Sequence, residues 1–228
     1  MKITSVKTIL LKWKCPVMSD ALSVCSARQA LLVKLETDSE LYGIGEAFCY
    51  GSPMHAGKAI IEEQLAPMLI GQNPENIELL WQTMYWRTIA SGRRGVVMAA
   101  ISGVDIALWD LLGKMAHMPV SALLGRHSDR VPAYASGGFY APGKSLDGLA
   151  RELEGYVKKG YTAVKIKIGR NPGMPENAVQ YMENQDFGVS YEEDIRRLET
   201  ARSVIGDGIL AADINAAWTP AQVLRAGD

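Results

Sequence analysis

Cysteine, histidine and net charge are all scarce in this sequence, and each scarcity removes a class of function. The 228 residues include 3 cysteines and 3 histidines. Cys15, Cys25 and Cys49 are odd in number and have no CxxC spacing, so neither a disulfide framework nor a zinc site is indicated; reduced thiols in a reducing compartment are expected. His55, His117 and His127 fall at a helix start, a helix end and a junction between modules. None lies on a strand terminus, and none is assigned to catalysis. A formal net charge of -1, with no cluster of lysine and arginine, excludes the electrostatic footprint of a nucleic-acid partner. There is no run of about eighteen apolar residues and no apolar core behind Met1-Lys2-Ile3, so no membrane partner is expected and a soluble cytoplasmic protein is the default. What is present is ordinary globular material, 48% hydrophobic and 21% charged, ample for a core.

Along the chain, residues 3 to 12 alternate as a strand, 15 to 28 lose the period around Pro16 and read as a loop, and Ala30 to Thr37 and Tyr42 to Phe48 form a hairpin about Asp38-Ser39-Glu40. Helical spacing follows over Met54 to Leu69, from the start signal Asn73-Pro74-Glu75 to Ile89, and over Arg94 to His117. Asp105 and Asp110 fall within the apolar face of that last helix, where capping or pairing with Arg93, Arg94 or Lys114 is expected rather than catalysis. The pattern then changes to a strand over Val131 to Ser136, a helix over Leu146 to Lys159, a strand over Ala163 to Gly169, a long Gly, Pro and Asn-rich loop, a helix over Tyr191 to Ile205, a strand over Ile209 to Asn215 and a helix opened by Thr219-Pro220. This alternation predicts a parallel sheet. The expected division is an α+β module over 1–128 and an α/β module over 129–228.

Within the second module, Ala163-Val164-Lys165-Ile166-Lys167 places two ammonium groups on one face of a strand, about 7 Å apart by backbone spacing. Like charges that close, partly buried, lower each other's pKa and can furnish a base near neutral pH. The same alternation also describes a half-buried strand with a solvated lysine face. The second strand, Ile209 to Asn215, puts Ala211, Asp213 and Asn215 on one face, so a carboxylate and an amide would stand at the same rim as the lysines.

These segments together resemble the mandelate racemase and muconate lactonizing branch of the enolase superfamily. The resemblance is carried by Thr37-Asp38-Ser39-Glu40 leading into Gly43-Ile44-Gly45-Glu46-Ala47, by Ala100 to Leu111 with Pro119 to Gly125, by Lys165-Ile166-Lys167 and by Asp213-Ile214-Asn215. It implies an α+β N-terminal capping domain followed by an α/β (β/α)₈ TIM-type barrel, and abstraction of a proton alpha to a carboxylate with the help of Mg²⁺. Asp213 would be the first metal ligand, Lys167 the acid/base, Lys165 its pKa-lowering partner, and Asn215 a contact to substrate. Chemistry would then sit at the C-terminal ends of the strands. The loop from Cys15 to Ser26, the segment Phe48 to Gly51 and the loop 170–189 would shape the substrate pocket, with Asp20 and Tyr50 as candidate binding residues for a polyhydroxylated acid, though such residues are more often simply solvated loop residues. The leading expectation is an acid-sugar dehydratase or 2-hydroxy-acid racemase, with dehydration favoured because the polar loop 15–26 suits a hydroxylated substrate; a cycloisomerase, with a less polar pocket, is the second enzyme reading.

A complete barrel takes about 250 residues, and about 100 follow residue 128. Only the first three βα units are therefore expected, an incomplete barrel in a truncated chain that is inactive alone and binds Mg²⁺ weakly. The complete form would be a homo-oligomer acting on a small carboxylate. A non-catalytic fragment serving as an oligomerisation or binding module is the alternative from another class.

Overall fold

The computed structural model describes residues 1–49, 54–170 and 190–227, in two compact units. The first comprises Met1–Lys14 and Arg28–Asp129, the second Cys15–Ala27 and Arg130–Asp228.

Strands β1 (Ile3–Ser19), β2 (Val24–Thr37) and β3 (Tyr42–Ala47) form a sheet in the order β1-β2-β3, whose residues outside 15–27 belong to the first unit. β2 and β3 pair antiparallel from Leu31 opposite Ala47 to Glu36 opposite Tyr42. Alternation buries Leu31, Val33 and Leu35. The expected loop over 15–28 is instead strand on both sides of a turn at residues 20–23. Pro16 is tolerated because β1 is an edge strand, where a missing N–H breaks no inner ladder. Asp20 makes the turn: its Oδ1 accepts from the N–H groups of Leu22 at 2.9 Å and Ser23 at 2.8 Å.

Helices α1 (Met54–Ala59) and α2 (Ala66–Leu69) are joined by a π-helical turn over Ile60–Leu65. The spacing predicted a single helix here, and the chain stays helical but widens ahead of Pro67, whose ring cannot donate to the preceding turn. α3 (Ile77–Thr88) begins later than the Asn73-Pro74 signal suggested. Asn73 spends its side chain on the Glu75 N–H at 3.1 Å, a local turn in place of a helix cap. α4 (Val96–Ala116) is the core helix, with Val97, Ala100, Ile101, Val104, Ala107, Leu108 and Leu111 buried. By length and hydropathy it could cross a membrane, but half of its apolar window is buried inside this unit.

β3 lies directly on α4. A Cβ added at Gly45 would stand 2.0 Å from the Gly103 carbonyl oxygen, and one at Gly43 1.9 Å from that of Ala107. The small residues of α4 thus admit a strand. Asp110 accepts from the Ile44 N–H at 2.7 Å and from Lys114 Nζ at 2.7 Å, the structural role expected of it. A short α5 (Val120–Leu123) follows.

In the second unit β4 (Ala135–Gly137), β5 (Ala163–Lys167) and β6 (Ile209–Asp213) form a parallel sheet in that order. β4 starts four residues after the expected Val131, which is exposed and precedes Pro132. Between the strands run α6 (Leu146–Lys158) and α7 (Tyr191–Ile205), with α8 (Pro220–Gly227) after β6. Each begins on a side-chain cap. Ser145 accepts from the Gly148 N–H, Ser190 from the Glu193 N–H, and Thr219 with Gln222 makes a reciprocal capping box. Leu149 and Leu153 of α6 and Ala201 of α7 pack on Val164, Ile166 and Ile168. One sheet face is thereby covered, and Lys165 and Lys167 are left to the other.

Candidate active site

Parallel pairing sets Lys165 opposite Ala211 and Lys167 opposite Asp213. The two lysines reach the same atom: Asp213 Oδ2 lies 2.9 Å from Lys165 Nζ and 2.6 Å from Lys167 Nζ. Lys167 also donates to Asn215 Oδ1 at 2.9 Å, and the Asn215 N–H donates to Asp213 Oδ1 at 2.9 Å. The ammonium groups are thus drawn closer than backbone spacing alone provides. Asn215 lies beyond the end of β6 with φ 48°, so strand alternation does not aim its side chain. A left-handed turn that asparagine tolerates does so.

The Lys167 side chain is almost fully buried, and Lys165 and Asp213 are about three-quarters so. Burial alone would raise the Asp213 carboxyl, but hydrogen bonds from Lys165, Lys167 and the Asn215 N–H hold it well below the usual carboxylate range. Its hydrogen bond in turn raises Lys165, against a smaller opposing effect of burial. The expectation that the two lysines lower each other is therefore corrected for Lys165. The Asp213 carboxylate gives Lys165 a countercharge that favours its ammonium form. Aromatic faces complete the surroundings, with Tyr134 5.5 Å from Lys165 Nζ and Phe139 5.5 Å from Lys167 Nζ.

Behind the lysines lies a buried polar network that reading the sequence did not find. Asp194 of α7 accepts from the Tyr140 hydroxyl at 2.5 Å and from the Gly169 N–H at 2.8 Å. Arg197, one turn on, donates to the carbonyl oxygens of Gly138 and of Lys167 itself, and its guanidinium stacks 4.2 Å from the Tyr140 ring. Burial and the Asp194 carboxylate push the Tyr140 hydroxyl far above its ordinary range, so it stays a donor. Arg170 donates to Ser19 Oγ at 3.2 Å. The network pins the ends of β4 and β5, and with them the backbone from which Lys167 projects. Its signal in the sequence is an Asp and an Arg at helical spacing on the inner face of α7, hidden in a run where nearly every residue is charged.

Asp20 is buried, at 4% exposure, in the turn that it organises. Tyr50, Gly51 and nearly all of the loop 170–189 lie outside the described residues. The Asp213 oxygens are the right donors for a hard divalent cation. Among the described residues, however, no three His, Cys, Asp or Glu side chains gather at one point. One carboxylate engaged by two ammonium groups is not by itself a Mg²⁺ site.

The description "Mandelate racemase / muconate lactonizing enzyme, N-terminal domain" matches residues 3–125, more than half of the chain. The chain belongs to this family. The family's second domain, "Enolase C-terminal domain-like", matches residues 148–228, and the fold is that of the enolase superfamily, an α+β N-terminal domain with part of an α/β barrel. Among family members, the arabinonate dehydratase of Saccharolobus solfataricus is 38% identical over 200 residues, which cover 87% of this chain and 48% of that one. The D-galactarolactone cycloisomerase of Agrobacterium fabrum is 35% identical, covering all of this chain and 55% of that one. The crystal structure of L-talarate/galactarate dehydratase from Salmonella typhimurium, liganded with Mg and L-lyxarohydroxamate, superposes with a TM-score of 0.81 at 25% identity, over 99% of this chain and 55% of that one. The chain spans about half the length of the relatives it matches.

Proposed function

We propose that this sequence is the first part of a Mg²⁺-dependent enzyme that removes the proton alpha to the carboxylate of a sugar acid, with dehydration as the outcome. The observation that carries the reading is the convergence of Lys165 and Lys167 on one oxygen of Asp213 at the C-terminal rim of neighbouring parallel strands. Relatives named as dehydratases of sugar acids support it.

In this reading Lys167, buried and oriented by Asn215, exchanges the alpha proton, and Lys165 is its partner, paired with the Asp213 carboxylate. Asn215 takes a substrate hydroxyl or carboxylate oxygen. Asp20 contributes through the turn it shapes, and Tyr50 is retained as a candidate contact. Asp213 would be one ligand of Mg²⁺, which supplies positive charge beside the substrate carboxylate. The module boundary near residue 128 and the count of three barrel strands belong to the same proposal. So does the lack of turnover in residues 1–228 alone, since the described residues offer the metal one carboxylate. A homo-oligomer is proposed for the complete form.

The test is deuterium exchange at C2 of sugar acids, followed by NMR in D₂O with Mg²⁺. One sample is residues 1–228; the other is the same residues joined to the remaining half of the Saccharolobus solfataricus arabinonate dehydratase. Exchange and 2-keto acid release are expected from the joined protein only, and neither after Lys167→Met. Turnover by residues 1–228 would refute their incompleteness. Stereoinversion without keto acid would replace dehydration with racemisation, and a cyclic product would favour the cycloisomerase reading. A folded joined protein that binds Mg²⁺ yet exchanges nothing would leave only a binding module.

A further inference from the structure

Outside the lysine site, the hairpin of β1 and β2 brings two nucleophilic side chains together. Cys15 Sγ and Cys25 Sγ lie 3.8 Å apart on neighbouring strands. Both are partly exposed and neither is in a disulfide, and the Cys25 thiol donates to the Ala27 carbonyl at 3.1 Å. The hairpin that carries them is fixed at its far end. The turn closes through Asp20, Ser19 exchanges backbone hydrogen bonds with Tyr140 at 2.8 and 3.0 Å, and Ala21 is fully buried against Ala217. The fold therefore holds the two thiols within about 2 Å of bonding distance, a sulfur–sulfur bond being about 2.05 Å.

We propose that Cys15 and Cys25 are a dithiol modification site that closes to an intramolecular disulfide on meeting a small-molecule disulfide oxidant of the glutathione type. One thiolate attacks the oxidant, forming a mixed disulfide and releasing one glutathione thiolate. The second cysteine attacks that mixed disulfide at its protein sulfur and releases the other. The cysteine pair loses two electrons and two protons, and both pass to the two glutathione thiols. Cys49 serves as an internal comparison. It has no neighbouring thiol among the described residues, and burial pushes its thiol up, away from the reactive thiolate. The closed bond would tie the two arms of a hairpin whose tip packs against Ala217 and Trp218, just past Asp213 and Asn215.

The sequence makes the experiment direct, because trypsin releases both cysteines in one peptide, residues 15–28, between Lys14 and Arg28. The reduced protein is exposed to oxidised glutathione, quenched by alkylation and digested, with and without denaturing urea. In the folded protein the expected product is that peptide lighter by about 2 Da and carrying no alkyl group, reversed by dithiothreitol, while Cys49 remains alkylated. In urea the rate of closure is expected to fall by ~10-fold, since the alignment is lost. Cys25→Ser should leave Cys15 as a glutathione adduct with no 2 Da loss. Glutathione adducts or alkyl groups on both cysteines of the folded protein would overturn the proposal. So would a link from either to Cys49, or equal rates of closure with and without urea.

Discussion

Lys167 Nζ lies 2.6 Å from Asp213 Oδ2, an ion pair across neighbouring parallel strands in which the ammonium is the more deeply buried partner. This asymmetry decides what happens when the carboxylate is removed. Asp213→Asn leaves a buried cation without its countercharge, and the expected cost is about 3 kcal/mol, read from urea denaturation. Adding Lys167→Met should restore most of that loss, because the stranded charge goes with it. If Asp213→Asn changed stability by less than the measurement error, the pair would not be a structural element of the fold.

The same pair fixes a pH dependence. The Asp213 carboxyl is depressed in the folded protein, so its contribution is complete above the unfolded value near 3.9 and is lost as pH falls below that toward the folded value. Denaturation midpoints measured from pH 6 down to about pH 2 should decline more steeply in the wild type than in Asp213→Asn. Parallel declines would show that other carboxylates govern acid stability.

Ala216 has φ 58°, directly after Asn215 at φ 48°. A left-handed backbone costs an alanine about 1 kcal/mol that a glycine does not incur. Ala216 is exposed, so nothing is lost when its methyl goes. Ala216→Gly is expected to stabilise the protein by about 1 kcal/mol, measured as a rise in the urea midpoint at constant slope. A fall would mean that the strain is offset by a contact of the methyl group.

Gly45→Ala should have the opposite and larger effect. Its Cβ would stand 2.0 Å from a carbonyl oxygen of α4, an atom of a buried helix backbone that has no room to withdraw. A loss of at least about 3 kcal/mol is expected, at the upper end of overpacking costs. Gly155→Ala, on the α6 helix with nothing within 4 Å of the added Cβ, is the control and should be neutral or stabilising. Native-like stability of Gly45→Ala would mean that β3 and α4 are not in this contact.

Much of this was legible from local chemistry. Periodicity placed α6, α7, β3 and the half of β2 that pairs with it within a residue or two, because each has one buried face and a clear cap or turn. It misjudged residues 15–28, where an edge strand accepts the proline that would break an inner one. It also began α3 too early, since Asn73 can bond to the backbone as readily in a turn as at a helix start. Lys165, Lys167 and Asp213 were readable as three side chains on strand faces, but the sign of the lysine shift was not. That sign depends on which charge stands nearest, and the nearest charge comes from another strand.

The sequence by itself determined which residues could be strand or helix, that two lysines share a face, and that a carboxylate ends the following strand. Those are matters of spacing along one segment, and spacing is written in the chain. Tertiary structure alone decided that Asp213 lies between the lysines, that Asp194 and Arg197 grip the backbone beside them, and that Cys15 meets Cys25. Each of these depends on the register between separate strands and helices, which is set by how their faces pack, and no single element carries it.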